Sequence, residues 1–70
     1  MARYLIVIEK AQGNYSAFSP DLPGCAATGK SRAAAERNMK KAIEMHLRGL
    51  RRDNQPLPEP RSSAEYVNVR

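Results

Sequence analysis

Seventy residues with a net charge of +5 make at most one small domain, whose modest core leaves it dependent on a partner or on self-association. The longest apolar run, Tyr4 to Ile8, falls far short of the roughly 20 residues that cross a bilayer. Glu9 and Lys10 follow it with no small-residue cleavage site, so neither a membrane span nor a signal peptide is expected. A single cysteine, Cys25, excludes an internal disulfide and a structural zinc site, and the expected location is the cytoplasm.

Residues 3–10 read as a strand, because Tyr4, Ile6, Val7 and Ile8 are β-branched or aromatic and Leu5 is apolar. The run does not alternate, so both faces should be covered, as in a central strand. Gln12-Gly13-Asn14 reads as a hairpin turn, with glycine free to take positive φ. Tyr15 to Ser19 forms a second strand with Tyr15, Ala17 and Ser19 on one face and Ser16 and Phe18 on the other. Pro20 ends it, since proline cannot donate to a ladder.

Pro23-Gly24 suits the two central positions of a type II turn, and Asp21 can accept from nearby backbone amides. Cys25 to Thr28 is a short third strand, and Gly29 releases the chain. Ser31 then caps a helix running to about Arg52, roughly 30 Å long. Ala35, Met39, Ala42, Ile43, His46 and Leu50 share its apolar face, and Arg37, Lys41, Glu44 and Arg48 lie opposite. Residues 54–63 read as an extended, proline-rich connector, and Tyr66 to Val69 as a last strand. The order is β-β-β-α-β within one domain over residues 1–70. It is an α+β fold, with a small mostly antiparallel sheet and one helix packed on one face.

Little in this order invites catalysis. Cys25 and His46 are the one nucleophile–base pair, and the expected geometry makes them a small buried thiol and a core-edge imidazole. Glu9 and Asp21 are too few to gather a nuclease metal. No cofactor, metal or catalytic residue is expected. Charge points elsewhere. Residues 30–52 hold eight basic side chains against two acidic ones, a net +6, whereas the remainder holds four against five, a net −1. Arg37, Lys41, Arg48, Arg51 and Arg52 could bind phosphates as a nucleic-acid-binding module, or could simply solvate the helix. Little aromatic interleaving accompanies them, which disfavours stacking on single strands.

"YLIVIEK", a glycine-containing turn, "YSAFSPDLPGCAATG", a helix with "KKAIEMHLRGL" and then "PLPEP" resemble, in that order, the HicB family of antitoxins and its short single-domain relatives. The resemblance covers roughly residues 3–60. It implies a truncated ribonuclease H-like core without activity, a dimer or higher oligomer such as a tetramer, and a HicA-like ribonuclease toxin as partner. Full-length relatives carry a DNA-binding region after the domain, and none is expected here because the sequence stops at Arg70. HicA-like toxins are basic, so the −1 part, meaning sheet face and turn, is the expected contact. "PDLPGC" is thus foremost a structural turn, whose exposed rim of Asp21, Leu22 and Pro23, with Tyr15 and Phe18, is the candidate partner contact.

Overall fold

The computed structural model describes residues 2–70. Strands β1 (Val7–Ala11), β2 (Asn14–Phe18) and β3 (Ala26–Gly29) form one antiparallel sheet in the order β1-β2-β3, followed by helix α1 (Arg32–Arg52). β1 and β2 meet at a two-residue loop, where Gly13 takes φ 82°, a left-handed angle that favours glycine. Register sets Val7 opposite Phe18, Ile8 opposite Ala17 and Lys10 opposite Tyr15, and β3 continues the row with Ala27 opposite Ala17.

Tyr15 and Ala17 therefore face the helix and Phe18 faces away, as the alternation predicts. Ala17, Leu22, Cys25, Ala35 and Met39 form the buried core. Ser31 caps α1 through Oγ, which accepts from the Ala34 amide at 3.0 Å. Asn38 Nδ2 donates to the Thr28 carbonyl at 2.7 Å and ties the helix to β3. Gly29 does more than release the chain. A Cβ there would stand 2.7 Å from the Ala34 carbonyl carbon and 2.8 Å from the Ala35 Cα, so only glycine lets helix and sheet approach this closely. At the far end Asn54 takes φ 55°, and the Asn54 and Gln55 amides satisfy the Arg51 and Leu50 carbonyls.

Three expectations change. β1 begins at Val7 rather than residue 3, because Pro20 closes β2 and leaves nothing across from the earlier residues except Ser19, whose Oγ donates to the Leu5 carbonyl at 2.9 Å. β1 is an edge strand rather than a central one. The last strand is not formed: residues 63–70 are exposed and pair with no strand, so the order within the described residues is β-β-β-α. The α+β class and the antiparallel sheet under one helix stand as expected.

Candidate partner-binding site

The segment between β2 and β3 is built from two successive turns that share Leu22. The Leu22 amide donates to the Ser19 carbonyl at 3.1 Å, and the Cys25 amide to the Leu22 carbonyl at 3.0 Å. Gly24 takes φ 82°, as the Pro23-Gly24 turn requires. Pivoting the chain twice drives the Leu22 side chain inward, where it is fully buried. Leu22 is therefore a core residue and no part of an exposed rim, because a short loop in a small domain offers few apolar side chains to fill the space under the sheet.

Asp21 binds far along the chain. Its carboxylate accepts from the Arg61 and Ser62 amides at 3.0 Å each and from Ser62 Oγ at 2.9 Å. The Ser62 amide leads the interactions that hold its carboxyl below the ordinary value of 3.8. Nearby, Tyr4 Oη donates to the Pro58 carbonyl at 2.5 Å. The connector is thus strapped to the body at two places. Of the five residues expected to meet a partner, Pro23 and Phe18 are exposed, Tyr15 is half-buried against the core, Asp21 is engaged by the connector and Leu22 is buried. Tyr15 and Phe18 lie on opposite faces of β2, so the five do not make one patch. Phe18 sits instead on the outer sheet face, with Val7 and Ala26 as its register neighbours.

Cys25 and His46 line one shallow pocket of about 220 Å³ with Gly24, Ala26, Ala42 and Met45. Burial pushes the Cys25 thiol up, which lowers its thiolate fraction and makes it a poor nucleophile. No group of three or more His, Cys, Asp or Glu among the described residues could hold a metal ion. No helix among them is long and apolar enough to cross a membrane. Arg37, Lys41, Arg48, Arg51 and Arg52 are all exposed on α1.

A feature not singled out from the sequence lies along β1. The helix packs most on β3, less on β2 and least on β1. A groove of about 510 Å³ opens there between Tyr4 and Ile6 on one side and Ile43, Leu47 and Arg51 on the other. The unbroken apolar run from Tyr4 to Ile8 held the signal, since it asks for more cover than one helix on a three-stranded sheet supplies.

These features define a small α+β domain with an open sheet edge and an outer face whose apolar part is the Val7–Phe18–Ala26 row. The profile of a family described as HicB-like antitoxin of bacterial toxin-antitoxin system matches residues 4–70, and the chain belongs to that family. A UPF0150 protein of Thermoplasma acidophilum is 34% identical, over 96% of each chain. A UPF0150 protein of Helicobacter pylori is 51% identical over 67% of this chain and 65% of its own. An uncharacterised 14.9 kDa protein of Haemophilus phage HP1 is 37% identical over 93% of this chain, which spans only 49% of the phage protein. Among solved structures, a chain of a HicA3 and HicB3 toxin-antitoxin complex superposes with a TM-score of 0.72 at 30% identity, covering 86% of this chain and 70% of that one.

Proposed function

We propose that this domain is a non-enzymatic antitoxin that neutralises a small HicA-type ribonuclease by covering it, acting in the cytoplasm as a homo-oligomer. The observation that carries the reading is the likeness, at 30% identity, to a chain of a toxin-antitoxin complex. The contact we assign is the outer sheet face around Phe18, with Val7, Ala26 and the exposed Pro23. Phe18 is 41% exposed although large and apolar, and this face lies away from the basic helix, which would repel a basic toxin.

The second reading is nucleic-acid binding by α1, favoured by the free exposure of Arg37, Lys41, Arg48, Arg51 and Arg52. One experiment separates the two. The protein is titrated with its co-expressed toxin and with duplex DNA and RNA, in wild type, Phe18→Asp and an Arg37→Glu/Lys41→Glu/Arg48→Glu triple variant. The antitoxin reading expects Phe18→Asp to weaken toxin binding about 10- to 100-fold while the triple variant binds normally. Salt-sensitive nucleic-acid affinity that disappears only in the triple variant, with no toxin bound, supports the helix reading instead.

A further inference from the structure

We infer that residues 64–69 form a strand only in a second copy of this chain, where they add to the free edge of residues 4–10 and fill the groove between that edge and α1. The inference concerns self-association and holds whether or not a toxin is bound.

The first observation is the tail. Tyr66, Val67 and Val69 are 100%, 77% and 85% exposed, the most exposed large apolar side chains of the described residues. All are strand-forming types, and a strand would place Val67 and Val69 on one face. The straps at Pro58 and at Arg61 and Ser62 fix where the tail departs. Pro60, Ser62 and Ser63 stand beside Arg3 to Ile6 and Ile8, but the residues beyond pair with no strand of their own chain.

The second observation is the edge. A two-residue hairpin loop makes Ala11 and Asn14 a hydrogen-bonded pair, so Glu9 and Val7 also turn their backbone groups toward β2. The Leu5 carbonyl, two residues further, accepts from Ser19 on that same side. The backbone groups of Lys10, Ile8, Ile6 and Tyr4 then point to the open side. These are the donors and acceptors an added strand takes up. Ile6 and Tyr4 also line the apolar groove, which two valines spaced i, i+2 can enter.

The third observation is size. The chain exposes 6034 Å², whereas a compact protein of 7.8 kDa exposes about 4,400 Å². Its radius of gyration is 13.5 Å against about 11 Å for a compact chain of this length. The excess area is about twice the 800 Å² per partner of a standard interface. A second copy is the occupant because each chain carries both halves, an open edge and an unpaired apolar strand segment. A two-fold exchange closes both edges at once, where head-to-tail addition would make fibres.

The test uses the 70-residue chain. Light scattering from 1 μM to 1 mM is paired with isotope-filtered NMR on a mixture of labelled and unlabelled protein. Expected are a dimer and intermolecular contacts from the Val67 and Val69 methyls to Ile6 and Ile43. Val67→Pro should raise the dimer dissociation constant at least about 100-fold while circular dichroism is unchanged, because in one copy Val67 is 77% exposed and lies outside every strand and helix. A monomer at 1 mM would overturn the inference, as would valine contacts confined to one chain. So would a dimer that Val67→Pro leaves intact, which would place the interface elsewhere. Edge amides of Ile6 and Ile8 that become protected only on adding a toxin would assign the edge to that partner and would also overturn it.

Discussion

The two sides of the sheet edge-on are built to different standards. On the β3 side the helix is close: Gly29 admits the Ala34–Ala35 backbone, Asn38 reaches the Thr28 carbonyl, and Ala35 and Met39 are fully buried. On the β1 side Tyr4, Ile6 and Ile8 are only half-buried, a groove stays open, and the tail that could cover it stands away in solvent. Small residues permit near contact and complete burial on the first side. Large apolar residues without an opposite number mark the second. The lesson is that the closed side holds the fold, whereas the open side leaves a strand edge and an apolar groove uncovered in one chain.

The strongest way to break the contrast is at the closed side. Leu22→Ala should destabilise the domain by about 3 kcal/mol, because it empties a fully buried site under a turn that has little room to collapse. Urea unfolding with an unchanged m-value would check it. Gly29→Ala comes next, at about 2 kcal/mol, since the new methyl must push the helix backbone off the sheet. Unlike most Gly→Ala changes it should lower the unfolding midpoint.

The smallest effect sharpens the contrast at the strap. The Asp21 carboxyl is held below its ordinary value of 3.8, so folding favours its charged form. Its contribution is complete above that ordinary value and is lost as pH falls through the lower folded one. Amide exchange at Arg61 and Ser62, corrected for the intrinsic rate, should accelerate in that acidic window and nowhere else. In Asp21→Asn the acceleration should be present at neutral pH, with the rest of the sheet still protected.

Much of the architecture was legible along the chain. Gly13, Gly24 and Ser31 did what local chemistry assigns them, because turns and caps are settled within four residues. The alternation of β2 separated Tyr15 from Phe18, and the helix ended at Arg52. The candidate site was less legible. Asp21 read as a local turn acceptor, yet its partners lie 40 and 41 residues away, a closure that no short-range pattern encodes. Leu22 read as rim, because one leucine between Asp and Pro carries no periodicity to tell inside from outside.

The sequence by itself determined the three strands, the helix, their turns and the membership of an antitoxin family, since these rest on spacing, backbone permissions and quoted motifs. Only the tertiary structure decided that β1 is an edge, that Leu22 is core, that Gly29 is a contact point and that the last strand is unpaired in one chain. Those facts depend on which surfaces meet in three dimensions. A strand propensity such as that of Tyr66 to Val69 says that a segment can pair, and only geometry says whether a partner is within reach.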